Sequence, residues 1–412
     1  MENIRKFTNL GWGGRKGAKS SEKPTNPNSV KGASAVREKI NNAWLSFKYG
    51  SWRLNSHMNF KEKAQLWLLG SCYSLTKDES RLQEFLHDYY SRIWLTYRTD
   101  LHSLPGTSKT TDCGWGCMLR SAQMMLAECL ISLHLGREWR FSKDEIKPII
   151  EDPRNVYAKI ISLFSDDPHA SLGLHKALKI AEKKYQRPVD SWYSPSEALG
   201  LFKELLGEAD FVMTGGLKLL CVTDGILVKN EIQSASCNFT VPLLLVICLR
   251  LGTTKLNMFY QSHTLNLLNI KGTVGMIGGK PKHSLYFIGW YDEKYLIYLD
   301  PHIVHKAVPI DLQSSCWQSF HCTEVSKTQL DNIDPTCAFG FLIKSKHDFD
   351  VFLNDLQFHQ LLNLNVFEGE ERFKGTILSV VSDRSTFSIT SAESDVHKVD
   401  DPGFEILHME EL

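Results

Sequence analysis

Thr111-Asp112-Cys113-Gly114-Trp115-Gly116-Cys117 runs straight into Met118-Leu119-Arg120-Ser121-Ala122-Gln123-Met124-Met125-Leu126-Ala127-Glu128-Cys129-Leu130, and then into Ile131-Ser132-Leu133-His134-Leu135-Gly136. The glycines around Trp115 predict a turn. Behind it, Met118, Leu119, Ala122, Met125, Leu126, Cys129, Leu130 and Leu133 recur at the i, i+3, i+4, i+7 spacing of a helix with one buried face. Gly136 supplies the stop. Cys117 falls where the turn meets the first helical turn. Unpaired N–H groups and the helix dipole there favour a thiolate, the reactive form of cysteine, and glycines before it let a substrate backbone approach. A lone cysteine is more often a buried core residue. Cys129, on the apolar stripe, reads that way; for Cys117 the turn leaves both readings open.

The chain has 412 residues, 42% hydrophobic and 23% charged, with 47 basic and 47 acidic side chains. Such a composition belongs to a soluble globular protein with one large or two smaller domains. The balanced charge argues against nucleic acid as a partner. The longest apolar run, residues 241–248, is too short to span a bilayer. Glu2, Arg5, Lys6 and Asn9 interrupt any apolar leader. The ten cysteines form no compact framework, so reduced thiols in the cytoplasm are expected.

Residues 1–37 form a basic, polar tail of the disordered type. A short helix is predicted through Ile40, Trp44 and Phe47. Residues 82–99 carry apolar groups at helical spacing from Leu82 to Tyr97. Helices punctuated by Pro148, Pro153, Pro168 and Pro188 are expected across 137–212, one of them starting at Ser194-Pro195-Ser196-Glu197. After about 211 the pattern changes to strands, at 211–214, 219–222, 241–249, 284–290, 295–299 and 339–343, with a hairpin turn at 290–294. Residues 272–283 read as a glycine-rich loop without phosphate-loop context. A helix follows at 347–363, and a polar second tail begins near 383.

A cysteine nucleophile needs a base and a group to orient that base. Of the fifteen histidines, His302 is the best placed. It follows the strand 295–299 in Leu299-Asp300-Pro301-His302, where Pro301 stiffens a turn that can set the Asp300 carboxylate beside the imidazole. A capped turn with a solvated histidine fits the same spacing. Cys113 and Cys117 stand four apart and His321-Cys322 lies far downstream, which is no zinc pattern. Neither metal nor other cofactor is expected.

These residues carry a resemblance. Residues 111–121, Gly-Gly-Lys-Pro-Lys-His-Ser-Leu-Tyr-Phe-Ile-Gly at 278–289, Tyr-Leu-Asp-Pro-His at 298–302, Ser-Phe-His-Cys at 319–322 and Ile-Trp-Leu-Thr-Tyr-Arg at 93–98 together resemble the autophagins, papain-like cysteine peptidases of autophagy. The order of the motifs is the family's, from about 38 to 345, and the detail is most similar to the longer metazoan subgroup. The resemblance implies an α+β fold, a papain-like core over 38–382 with a small, mainly helical subdomain inserted at 139–212, between disordered termini at 1–37 and 383–412. It implies Cys117 as nucleophile, His302 as base, Asp300 as orienting acid and Tyr97 as an oxyanion donor alongside the Cys117 N–H. Trp192 would cover the cleft, facing a movable loop at Gly278, Gly279, Lys280 and Pro281.

The implied substrate is a ubiquitin-like modifier of the GABARAP class. It would be cut after a glycine near its C-terminus by a cytoplasmic monomer that also removes the modifier from phosphatidylethanolamine at autophagosomal membranes. Phe404-Glu405-Ile406-Leu407, in an acidic terminal setting, suits strand addition to such a modifier and is read as a modifier-interacting motif; the alternative is a terminal anchor on the chain's own domain. Two other functions fit parts of the sequence. An acyl transferase of arylamine acetyltransferase or transglutaminase type would place its acid well after the histidine, whereas Asp300 precedes His302. A modifier-binding adaptor acting through the tail would not need Cys117, Asp300 and His302 intact.

Overall fold

Apolar side chains alternate between two faces along residues 243–250, and that alternation builds a two-sided core. This computed structural model describes residues 60–61, 63–74, 80–142, 155–280, 283–308, 319–363 and 377–384. The expectations for the 1–37 tail, for the Ile40–Trp44–Phe47 helix, and for Pro281, Phe404, Glu405, Ile406 and Leu407 fall outside these residues. The first half runs β1 (Gln65–Leu68), β2 (Ser71–Ser74), α1 (Ser80–Tyr90), β3 (Tyr97–Thr99), α2 (Cys117–His134), α3 (Val156–Leu163), α4 (Leu174–Tyr185), α5 (Pro195–Glu208) and α6 (Phe211–Thr214). Then come β4 (Lys218–Val222), β5 (Ile226–Val228), α7 (Lys229–Ala235), β6 (Leu243–Arg250), α8 (Gln261–Asn269), β7 (Thr273–Lys280), β8 (His283–Tyr291), β9 (Tyr295–Leu299) and β10 (Val304–Lys306). Last are β11 (Ser326–Gln329), β12 (Thr336–Ile343), α9 (Lys346–Phe358), β13 (Leu362–Asn363) and β14 (Leu378–Val381).

The main sheet has the order β11-β9-β8-β7-β12-β6-β4, antiparallel throughout except for the parallel edge pair β4–β6. Strand β1 extends the sheet along β8 beyond the residues that pair with β7. On one face Leu244, Val246, Val274, Ile277 and Ala338 pack with Leu119, Ala122 and Leu126 of α2. On the other, Leu245, Ile247, Met276, Phe287 and Phe339 pack with Leu268 of α8 and with Phe349 and Phe352 of α9. The period of two in the strands feeds both layers at once.

Several segments differ from the sequence-based reading. Helix α2 is buried not on one face but nearly all round, from Cys117 to Ile131, because α3 and α5 cover the side away from the sheet. Its polar residues are therefore partnered inside the protein: Gln123 donates to Leu172 O at 2.8 Å, and Glu128 accepts from Arg92 at 2.8 Å. The periodicity over 82–99 does not continue as helix. α1 ends at Tyr90, and the chain is drawn out as Trp94 N–H donates to Phe320 O and Ile93 bridges His321. Residues 211–214 are a helical turn instead of a strand, started by the Asp210 side chain accepting from Val212 N–H, with Phe211 and Val212 left exposed. Residues 273–280 are a strand held on both edges, not a loop. The last predicted helix stops at Phe358. The Ser194 capping box with Glu197 and Pro195 forms as the sequence indicates.

Candidate active site

Cys117 is the first residue of α2, behind Gly116 as N-cap with no side-chain cap. The turn before it is set by Asp112. Asp112 O accepts the Gly116 N–H at 2.9 Å, and a Cβ on Gly116 would lie 2.8 Å from Asp112 Cβ. The Asp112 side chain thus requires glycine there. The same carboxylate accepts the Arg98 N–H at 2.6 Å and pairs with Arg120 at 2.7 Å. Asp166 completes the set, 3.1 Å from both Arg120 and Arg98. These four charges are buried and mutually compensated. Removing one would strand its partner at a cost of about 3–5 kcal/mol. Their geometric effect is to fasten the Cys117 turn to β3, which carries Tyr97.

The second half of the site follows β9. Asp300 Oδ1 accepts the His302 N–H at 3.0 Å and lies 2.6 Å from His302 Nδ1. A carboxylate can only accept here, so Nδ1 carries a proton and Nε2 is the nitrogen left for chemistry. Nε2 is buried and makes no hydrogen bond of ordinary geometry among the described residues. The Cys117 thiol also acts on this ring, through its charge and a hydrogen bond. Burial by itself would lower the imidazole, but the charge and hydrogen bond of Asp300, with those of Cys117, outweigh it and push His302 up to about 10. Pro301 O accepts the Tyr97 N–H at 2.8 Å, and β10 pairs with β3 in register Val304↔Tyr97. Trp94 Nε1 donates to Asp300 O at 2.7 Å. These bonds bring the His302 turn against β3, and so against Cys117.

Tyr97, Cys117 and Val304 form one small packed cluster, with Trp192 and Cys113 against it. The Tyr97 ring meets His302 edge-on, 5.3 Å between centroids at 88°. Burial raises the Tyr97 phenol, and the Cys117 sulfur beside it raises it further, so the hydroxyl keeps its proton as a donor. Burial pushes the neighbouring Cys113 thiol up to about 12, which removes it as a rival nucleophile.

The structure thus brings Cys117, Asp300, His302, Tyr97 and Trp192 together. Gly278, Gly279 and Lys280 stand not in a loop but at the end of β7, paired with Leu285, Ser284 and His283. A Cβ on Gly279 would lie 2.1 Å from His283 O, so this tight pairing needs glycine. Reading by sequence missed Arg98, Arg120 and Asp166, whose charges have no local pattern, and gave Asp112 and His283 no role. The His283 ring stacks on His302, 5.0 Å between centroids at 28°. The single signal for it was its place in the 278–289 motif.

A thiol at a helix N-terminus, an imidazole beside it and a buried carboxylate behind the imidazole can perform acyl transfer by nucleophilic catalysis. No cluster of three or more metal-ligating side chains occurs among the described residues, and no helix among them is long and apolar enough to cross a membrane. Residues 82–355 match the peptidase C54 catalytic domain. Cysteine protease atg-4.2 of Caenorhabditis elegans is 34% identical to this chain, over 88% of it and 76% of the relative. Cysteine protease ATG4C of Homo sapiens is 30% identical, over 76% of this chain and 84% of the relative. Cysteine protease ATG4D of Xenopus laevis is 31% identical, over 76% of each. With the catalytic-domain match spanning α1 to α9, and so both halves of the thiol–imidazole–carboxylate site, this chain belongs to the peptidase C54 family and is an autophagy-related cysteine protease with an α+β, papain-like fold.

Proposed function

We propose that this protein is an endopeptidase for ubiquitin-like autophagy modifiers of the GABARAP class, cutting after a glycine near the modifier's C-terminus and releasing the modifier from phosphatidylethanolamine. The observation that carries the reading is the Asp300–His302–Cys117 arrangement, with a carboxylate 2.6 Å from one imidazole nitrogen and the thiol acting on the same ring from a helix N-terminus. His302 takes the Cys117 thiol proton, and Sγ attacks the glycine carbonyl carbon. The charge that develops on the carbonyl oxygen is met by the Tyr97 hydroxyl and the Cys117 N–H. His302 gives its proton to the leaving nitrogen as the C–N bond breaks, leaving a thioester on Cys117. Water attacks the thioester as His302 takes one of its protons; the C–S bond breaks, His302 returns that proton to sulfur, and the glycine carboxyl departs ionised, its proton passing to solvent. The leaving nitrogen is a main-chain amine in processing and the ethanolamine amine in delipidation, so one mechanism serves both. Nine free cysteines among the described residues suit a reducing compartment such as the cytoplasm. Residues 139–212 act in this reading as the inserted helical subdomain that holds Trp192 over the site. Cleavage of a C-terminally tagged modifier, and release of lipidated modifier from vesicles, test the assignment; failure of purified full-length protein on both substrates would remove it.

Two expectations refine the reading. Cys117 is fully buried, with Trp192 packed against its cluster, so a side chain on the residue before the scissile bond has no room. Trp192→Ala is expected to admit alanine or serine there, raising kcat/KM for such substrates by about tenfold relative to glycine, the range that one or two methylene-sized contacts provide. Unchanged selectivity would return Trp192 to a packing role. The second concerns Phe404 and Leu407. If they dock on the modifier while the cleft holds its C-terminus, the two contacts are linked and the second is effectively intramolecular. Replacing both by alanine is then expected to weaken action on full-size lipidated modifier by about tenfold or more, with a short glycine-terminated peptide hydrolysed at the original rate. Kinetics on the two substrates distinguish this from loss of the catalytic fold, which would slow both.

A further inference from the structure

His283 begins β8, directly across from Lys280 at the end of β7. The next residue is anchored: Ser284 Oγ donates to Ser121 Oγ at 3.0 Å, one turn into the Cys117 helix. The start of β8 is therefore fixed relative to Cys117. From that fixed point the half-buried His283 ring lies nearly parallel to the His302 imidazole at a centroid distance of 5.0 Å. His302 is already held in its plane through Nδ1 by Asp300, and it meets the Tyr97 ring edge-on. The His283 ring adds a third contact, nearly parallel to the imidazole. The titratable groups that face the pair are Asp300 and Cys117 on the His302 ring, Tyr97 at its flank, and Cys113 in the same cluster.

We propose that His283 is a positioning residue for the His302 base: its neutral ring holds the imidazole plane in line between Asp300 and Cys117, and its protonation disfavours the catalytic imidazolium. A neutral aromatic face attracts a cation laid over it. Two imidazolium rings at the same spacing, half out of water, repel one another. Histidine ordinarily changes charge in the mildly acidic range, so the stack supports the working pair at neutral pH and opposes it on acidification.

The inference rests on His302 being the base, and the test separates the two. Full-length wild type, His283→Phe, His283→Ala and His302→Asn are treated with iodoacetamide from about pH 5 to about pH 9, and alkylation of Cys117 is followed by peptide mass spectrometry. Phenylalanine keeps a stacking ring and cannot titrate. At neutral pH, His283→Phe is expected within about threefold of wild type and His283→Ala at least about tenfold slower, as for a displaced base. The acid limb of His283→Phe is expected about one pH unit below that of wild type. Thermal melts of all four confirm folded protein. His283→Ala reacting like wild type, or His283→Phe being as slow as His283→Ala, overturns the positioning role. An acid limb shared by wild type and His283→Phe overturns the charge effect. If His302→Asn alkylates like wild type, it is the assignment of the base that fails.

Discussion

Cys117→Ala leaves the protein folded and abolishes cleavage, lowering kcat by on the order of 10⁵-fold or more, as loss of a nucleophile does in other triad enzymes. The expectation follows from what else the site holds. Cys113 is four residues away, but burial keeps it protonated, and it lies on the turn, without a helix N-terminus behind it. Cys129 is on the same helix, fully buried in the apolar core, with its thiol driven up by burial. Cys117 is the thiol whose charge and hydrogen bond act on the His302 ring, and neither Cys113 nor Cys129 is ionised to take its place. The fold survives because one sulfur is a small part of the packing that holds α2, whose buried run continues to Ile131. Turnover is measured alongside a thermal melt, and mass spectrometry of the quenched reaction checks for the thioester. A folded Cys117→Ala enzyme within about tenfold of wild type would remove the nucleophile assignment.

Asp300→Asn is the second largest. The change is isosteric, so the turn through Pro301 and the Trp94 bond to Asp300 O are retained. What is lost is a full negative charge 2.6 Å from His302 Nδ1 and the certainty that Nδ1 is the protonated nitrogen. An amide can present its NH₂ group instead, which selects the wrong tautomer; kcat is expected to fall by about 10²–10⁴-fold. The pH profile carries a separate sign. Burial lowers the His302 imidazole, and it is Asp300, aided by Cys117, that pushes it up to about 10. The His302 imidazolium, which in the proposed mechanism protonates the leaving nitrogen, therefore persists in wild type until pH rises through about 10. With asparagine, burial is opposed by Cys117 alone, the proton is lost sooner, and the alkaline limb of kcat moves to lower pH. A variant with wild-type turnover and an unmoved alkaline limb would reduce Asp300 to a turn residue.

Much of the site was legible because its parts are local. A glycine turn running into an apolar helical stripe gives the Cys117 helix, since backbone freedom and the 3.6-residue period are encoded within twenty neighbouring positions. Strand 295–299 with its hairpin, and the Asp300–Pro301–His302 turn behind it, are local in the same way: Asp300 reaches both the backbone and the ring of His302 across two residues. The Ser194 cap needed only Pro195 and Glu197.

The misread segments were decided by partners far along the chain. Residues 91–96 have helical spacing but are extended, because Trp94 N–H and Ile93 find partners at 320–321. The glycines of 273–280 suggested a loop, yet β8 and β12 satisfy the backbone on both sides, and ladder hydrogen bonds outweigh weak strand propensity. Residues 211–214 are β-rich in composition but too exposed to gain from a sheet, so the local Asp210 cap prevails. What the sequence determined by itself was therefore the two local pieces of the candidate site: Cys117 at a helix start, and His302 tied to Asp300 on a stiff turn. Only the tertiary structure decided that these two turns meet, through the β3–β10 pairing. It likewise set the buried quartet of Asp112, Arg98, Arg120 and Asp166 behind Cys117, and the His283 ring on His302. Charge compensation and ring stacking act through space between distant segments, and neither leaves a periodic trace in the chain.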